Sequence, residues 1–162
     1  MRFYTPRLLL KPITYRDMNS LHLILNDPLV AKFNDYGYKI SKSEVRALIQ
    51  WDLEQSYLGL GQRLSINSHN GTMKGSIGLY DFDCKLGDVF IGFELGSAYW
   101  HQGFMREAIN CILNNIVQLI DVKSSVRLVA QVQPQNARSI KLLDQLGFIK
   151  HLDNKYVKTI TL

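Results

Sequence analysis

Val89-Phe90-Ile91-Gly92-Phe93-Glu94-Leu95-Gly96-Ser97-Ala98-Tyr99-Trp100-His101-Gln102-Gly103-Phe104-Met105-Arg106 reads as a strand, a tight turn containing glycine, and the first turn of a helix. Val89, Ile91, Phe93 and Leu95 alternate with Asp88, Phe90, Gly92 and Glu94. That period of two marks an extended segment with two unlike faces. From Phe104 the pattern changes. Glu107, Asn110, Asn114, Gln118 and Asp121 fall three and four apart, and nearly everything between them is apolar. The spacing predicts one long helix over 104–121, with a narrow polar stripe and the rest covered by a sheet.

The junction between the two elements is suited to an anion. A glycine just ahead of a helix lets a ligand come close to the main chain. The first helical turn adds unpaired N–H groups and the positive end of the dipole, a combination that favours phosphate. No acidic residue lies between Tyr99 and Arg106, and Arg106 brings a positive charge. An ordinary strand–turn–helix connection would carry the same glycine, so the junction alone does not decide the reading.

The motif does more. Trp100-His101-Gln102-Gly103-Phe104-Met105-Arg106-Glu107-Ala108 resembles the acetyl-CoA-binding motif of the GNAT superfamily of N-acetyltransferases, whose pattern is Arg/Gln-x-x-Gly-x-Gly/Ala. Ile91-Gly92-Phe93-Glu94-Leu95 and Tyr99-Trp100 resemble the branch of ribosomal-protein N-terminal acetyltransferases, the RimJ/RimL type. Trp100 replaces the Arg/Gln, as is usual in that branch. Met105 departs from the pattern and brings a large side chain to a position where the family keeps a small one.

A second motif lies downstream in the right order. Asn136 is a good helix N-cap, and Gly147 suits the position just past a helix end. Asn136 and Ser139, three apart, share a face. Asn-x-x-Ser followed by Leu146-Gly147-Phe148 is similar to the second GNAT motif, where these two positions contact the pantetheine arm and thiol region of CoA. Many GNAT enzymes place a tyrosine near the end of this helix. Leu143 stands there instead, as in RimJ/RimL-type enzymes, so the resemblance assigns the thiolate to Ser139.

The remaining chain fits one domain over 1–162. Its 162 residues, 46% hydrophobic and 20% charged, are of globular composition and enough for a real core. Arg7 to Ile13 reads as a strand, and Thr14 with Asp17 opens a helix that Asn26-Asp27-Pro28 stops. Ser41 and Glu44 form a capping box ahead of a helix carrying Val45, Leu48, Ile49, Leu53 and Tyr57. Asn70-Gly71 joins two strands as a hairpin. Val126 to Val132 is a strand parallel to the central one, as a right-handed crossover requires. A last hairpin turns at Asp153-Asn154. Pattern and resemblance together predict a GNAT-type α/β (α+β) fold. Its mixed, mostly antiparallel sheet of six or seven strands is splayed near the middle and flanked by about four helices.

Several classes are disfavoured. No apolar run approaches the roughly 18 residues of a membrane span. The start of the chain has no signal-peptide architecture, so a cytoplasmic protein is expected. Cys84, in a polar turn, and Cys111, on the apolar side of the long helix, form no metal or disulfide pattern. The four histidines are too widely spaced for a metal site, and no metal is expected. The net charge of +5 suits an anionic ligand, but the scattered Lys and Arg argue against direct nucleic-acid binding.

The expected chemistry is direct transfer of an acetyl group from acetyl-CoA to a primary amine. The sequence offers Glu94 as general base and Ser139 as hydrogen-bond donor to the leaving thiolate. By resemblance, Leu95, His101, Gln102, Gly103, Phe104, Met105, Arg106, Asn136 and Ser139 form the cofactor side, with main-chain N–H near Leu95 meeting the oxyanion. Phe33, Tyr36, Trp51, Tyr57 and Glu94 are candidates for lining the acceptor. The acceptor is expected to be a peptide N-terminus, as on ribosomal proteins. A small amine (polyamine, aminoglycoside or amino acid) is the alternative, and an acidic pocket near Asp35, Asp52 or Glu54 would favour a polyamine. A non-catalytic acyl-CoA sensor is the reading from another class. Homodimers are common in the branch, but nothing in the sequence marks an interface.

Overall fold

Alternation along 88–95 places Val89, Ile91 and Leu95 in the core, and Asp88–Leu95 becomes a central strand. The computed structural model describes residues 1–34, 36–37, 39–82, 87–121 and 124–161. Asp35 and Cys84, which the sequence analysis named, lie outside the described residues. The strands are β1 (Phe3–Tyr4), β2 (Leu8–Pro12), β3 (Gly61–Ser68), β4 (Met73–Tyr80), β5 (Asp88–Leu95), β6 (Ser125–Gln131), β7 (Ile149–Lys150) and β8 (Lys155–Thr161). They form one sheet in the order β1-β2-β3-β4-β5-β6-β8-β7, antiparallel except for β5 against β6.

The helices are α1 (Met18–Leu25), α2 (Pro28–Ala31), α3 (Lys42–Leu58), α4 (Phe104–Asn114), α5 (Ile116–Leu119) and α6 (Ala137–Gln145). Two apolar clusters follow from their placement. One joins Leu64, Ile77, Leu79 and Ile91 of the sheet to Ala108, Ile109 and Ile112 of α4 and Leu143 of α6. The other joins Leu21, Ile24 and Leu25 of α1 to Val45 and Ile49 of α3. The sheet is therefore covered on both faces, by α4–α6 on one and by α1–α3 on the other.

The sheet has eight strands against the expected six or seven, the addition being β1, which at two residues is too brief to show a period. The expected helices correspond to α1, α3, α4 and α6; the one-turn α2 and α5 are additional. The long helix also differs. It breaks at Asn115, whose side-chain amide donates to the Cys111 carbonyl at 2.8 Å while its N–H turns to Ile112 O at 3.1 Å. The side chain thus takes a carbonyl that the helical ladder would otherwise use. Tyr57 is a correction too: it is 91% exposed and lines nothing. The buried residues of α3 are Val45, Ile49 and Asp52, and Tyr57 lies five residues beyond the last of them, off that stripe.

The predicted caps and turns are present. Glu44 N–H donates to Ser41 Oγ at 3.1 Å and Ser41 N–H to Glu44 at 2.6 Å. Gly71 closes the β3–β4 hairpin at φ 92°, and Asp153 and Asn154 turn between β7 and β8 at φ 59° and 58°. No helix among the described residues is long and apolar enough to cross a membrane.

Candidate active site

The site begins where the sheet comes apart. The parallel pair β5–β6 keeps three rungs, Asp88 to Arg127, Val89 to Leu128 and Phe90 to Val129. An Asp88–Arg127 ion pair at 3.4 Å marks its closed end. Beyond Phe90 the strands diverge. β4 holds β5 on its own side: Gly75 lies opposite Leu95, and a Cβ there would run into the Glu94 carbonyl oxygen. Only glycine allows that approach. Gly96 N–H donates to Lys74 O at 2.8 Å. By alternation along the strand, the main-chain groups of Phe93 and Leu95 then point away from β4, into the opening.

The opening is part of a cavity of about 1080 Å³. At one end lies the start of α4. Gly103 takes φ 79°, a left-handed conformation that favours glycine. The first helical bond there is Glu107 N–H to Gly103 O at 3.0 Å, which leaves the N–H groups of Phe104, Met105 and Arg106 at the open end of the helix. Arg7 braces the turn from outside. Its Nη1 donates to Gln102 O at 2.8 Å and its Nε to Glu107 at 2.7 Å, and its guanidinium lies 4.4 Å from the centre of the Phe104 ring. Burial works against the Glu107 charge, but hydrogen bonds from Thr5 and Arg7 outweigh it and hold the carboxyl below its ordinary pKa.

Most sequence-predicted residues meet in this cavity. Glu94, Leu95, His101, Gly103, Phe104, Met105, Arg106, Asn136 and Ser139 all line it, as do Phe33, Tyr36 and Trp51 at the other end. Gln102 does not: its side chain donates to Ala98 O at 3.0 Å. The Met105 side chain is buried in the core formed by α4 and the sheet. Across the opening, the Asn136 side chain accepts the Ser139 N–H at 3.2 Å, fixing the first turn of α6 on the cavity wall. The Arg138 guanidinium lies 3.1 Å from the centre of the Trp100 ring, so α6 and the turn after β5 meet there. Burial lowers the Arg138 pKa. The Trp100 indole N–H in turn donates to Leu95 O at 2.8 Å.

The sequence missed a cluster behind Glu94. Arg63, 6% exposed, pairs through Nε with Asp52 at 2.9 Å and through Nη1 with Glu94 at 2.9 Å. It also donates to Ser76 Oγ at 2.6 Å and to the Tyr80 hydroxyl. Ser76 donates to the same Glu94 oxygen. Burial raises the Asp52 carboxyl above its ordinary value against the pull of Arg63, and burial likewise raises the Tyr80 phenol. Two carboxylates and one guanidinium leave a single net negative charge. The available signal was Arg63, Ser65 and Asn67 alternating with Leu64 and Ile66, a polar face that α3 turns out to cover.

The model of the acetyltransferase (GNAT) domain family matches residues 7–149. The chain belongs to the GNAT acetyltransferase family. GNAT enzymes transfer acetyl groups from acetyl-CoA to amines, and this chain is an N-acetyltransferase of that kind. It is 31% identical over 148 residues to the uncharacterized N-acetyltransferase p20 of Bacillus licheniformis, covering 91% of this chain and 82% of the relative. In fold it is similar to the ribosomal-protein-S5-alanine acetyltransferase of Vibrio fischeri, with TM-score 0.79 and 15% identity over 99% of this chain and 96% of that one. It is similar also to the spermidine N-acetyltransferase of Vibrio cholerae, solved with CoA and spermine, with TM-score 0.76 and 15% identity over 97% and 96% of the two chains. The GNAT match spans the anion-suited turn and the Asn136–Ser139 turn together.

Proposed function

We propose that residues 1–162 form one catalytic domain that acetylates a protein N-terminal α-amine in the cytoplasm, with a ribosomal protein as the candidate acceptor. The carrying observation is the acceptor end of the cavity. Its wall is aromatic, with Phe33, Tyr36, Trp51 and Tyr80, and Arg63 reduces the two nearby carboxylates to one net negative charge. A single ammonium group suits that end better than a polyamine bearing several.

Amine chemistry supports the same choice. At pH 7.5 about a third of α-amino groups are neutral, against roughly one lysine in a thousand, from their reference pKa values. An α-amine needs little help in losing its proton, which suits a carboxylate that shares its charge with a guanidinium.

Acetyl-CoA supplies the acetyl group as an activated thioester. On the cofactor side, the N–H groups from Gly103 to Arg106 are assigned to the pyrophosphate; burial of the Met105 side chain in the core leaves them accessible. Leu95 N–H, directed into the opening, donates to the carbonyl oxygen as charge develops on it. Glu94 accepts the proton of the attacking nitrogen, directly or through one water. The Ser139 hydroxyl donates a hydrogen bond to the leaving thiolate, which leaves with the bonding electron pair of the broken C–S bond and takes its proton from solvent. No covalent bond to the enzyme is formed.

The test is thiol release with a panel of N-terminal peptides, spermidine and amino acids, alongside acetyl-CoA calorimetry. Turnover on peptides supports the proposal; preferred turnover on spermidine overturns the acceptor, and binding without release on any amine overturns catalysis. Glu94→Gln is expected to lower kcat at least about 100-fold, the usual scale of general-base loss, with acetyl-CoA affinity within twofold.

A further inference from the structure

The face of the sheet beneath α3 is built to carry one side chain across it. Arg63 on β3 stands opposite Gly78 on β4, and Gly78 stands opposite Gly92 on β5. Neither glycine puts a side chain on the sheet, so a shallow channel runs from Arg63 toward the cavity. Arg63 and the Tyr80 ring fill it. A Cβ at Gly78 would meet that ring, and one at Gly92 would lie 3.9 Å from it.

Arg63 contacts four groups from that position. Asp52 ties it to α3, where the adjacent Trp51 lines the acceptor wall with its ring 5.5 Å from that of Tyr80. Ser76 and Glu94 lie on the strand side, and both Arg63 and Ser76 meet Glu94 at Oε1. Oε2 takes no hydrogen bond among the described residues, and Glu94 lines the cavity. A buried guanidinium between carboxylates is a poor source of stability, since apolar residues of similar volume often serve as well or better. Its presence points to a requirement for a fixed geometry.

We propose that Arg63 is the positioning residue for Glu94: it holds Oε1 so that Oε2 faces the acceptor nitrogen, and it keys that orientation to the acceptor wall through Asp52 and Tyr80. This rests on Glu94 being the proton acceptor. Arg63 reaches the cavity wall beside Glu94, but in this role it acts through Glu94, and its loss has no further effect once the carboxylate is gone.

A double-mutant cycle tests this, run in an Asp52→Asn background so that removing Arg63 strands no buried carboxylate on α3. The four proteins are Asp52→Asn alone, with Arg63→Met, with Glu94→Gln, and with both. Arg63→Met is expected to lower kcat roughly 10- to 100-fold while Glu94 is present and less than twofold once Glu94 is Gln, with acetyl-CoA affinity unchanged. Equal loss of kcat in both backgrounds, or no loss in either, overturns the positioning role while leaving Glu94 in place. Full turnover with Glu94→Gln alone in the wild-type background overturns both. Should Arg63→Met not fold, Arg63→Lys, which keeps the charge and loses the planar fork, replaces it in the same cycle with the same outcomes.

Discussion

The two faces of the central strands are built on opposite principles. Leu64, Ile66, Ile77, Leu79, Val89 and Ile91 point toward α4 and α6 and are at most 4% exposed. On the other face, Arg63, Ser65, Asn67, Ser76 and Glu94 lie beneath α1 and α3, and the first four are at most 6% exposed. Its polar atoms are partnered rather than solvated. Asn67 donates to Ser65 at 2.9 Å and to Leu9 O at 3.3 Å, and Ser65 donates to Lys11 O at 3.3 Å. The apolar face supplies burial free energy, which does not depend on direction. The polar face supplies direction, because each bond there has a geometry to satisfy. A strand with one face of each kind can anchor a core and aim a carboxylate at once.

The contrast can be broken most severely on the apolar side. Ile109→Ala is expected to cost about 2–5 kcal/mol through the cavity it leaves, or roughly 5–15 °C in Tm for a domain of this size. Turnover per folded molecule should hardly change. Thermal unfolding and initial rates on the same sample check both halves; a large loss of kcat would mean the apolar face also aims the site.

Gly78→Ala sharpens the other half. The added methyl displaces the Tyr80 ring and with it the Arg63 fork. Overpacking of this kind costs about 1–3 kcal/mol, and kcat should fall about tenfold with the KM for acetyl-CoA unchanged. An unchanged kcat would mean that Tyr80 has no part in aiming Glu94.

The smallest effect belongs to the rim charge on α4. Glu107 has a depressed pKa in the folded protein, so its contribution is present above the unfolded glutamate value of about 4.3 and is lost as pH falls through the folded one. Glu107→Gln should therefore unfold about 1 kcal/mol more easily at pH 7, given the exposed Arg7 partner. The gap should close as the pH falls below about 4. Denaturant titrations at the two pH values measure it, and a gap independent of pH would remove the charge from the account.

The apolar face was largely legible in the sequence, and the polar one was not. Alternation in 89–95 announces the apolar side of the strand, the stripe of polar residues announces the outer side of α4, and both are where the pattern puts them. Asn136, Ser41 with Glu44, Asn70-Gly71 and Gly147 mark ends and turns through local bonding, which a sequence displays directly. Arg63 does not. Alternating polar residues on a strand look the same whether water or a helix covers them, and only the packing of α3 turns that face inward. The break at Asn115 was hidden for a related reason: Ile116, Leu119 and Ile120 keep the apolar stripe running while one asparagine side chain takes a backbone partner. Glu94 was legible as a carboxylate near the turn, but the guanidinium that holds it was not.

The contact between Arg138 and Trp100 gives the protein a built-in optical signal. The chain has two tryptophans, and both line the cavity: Trp51 at the end proposed for the acceptor and Trp100 in the turn after β5, toward the end proposed for the cofactor. A stacked guanidinium changes the surroundings of an indole, and a ligand entering between β5 and α6 must alter that stack. Emission from Trp100 in a Trp51→Phe protein therefore follows the cofactor, emission from Trp51 in a Trp100→Phe protein follows the acceptor, and each half of the cleft can be watched by its own intrinsic lamp.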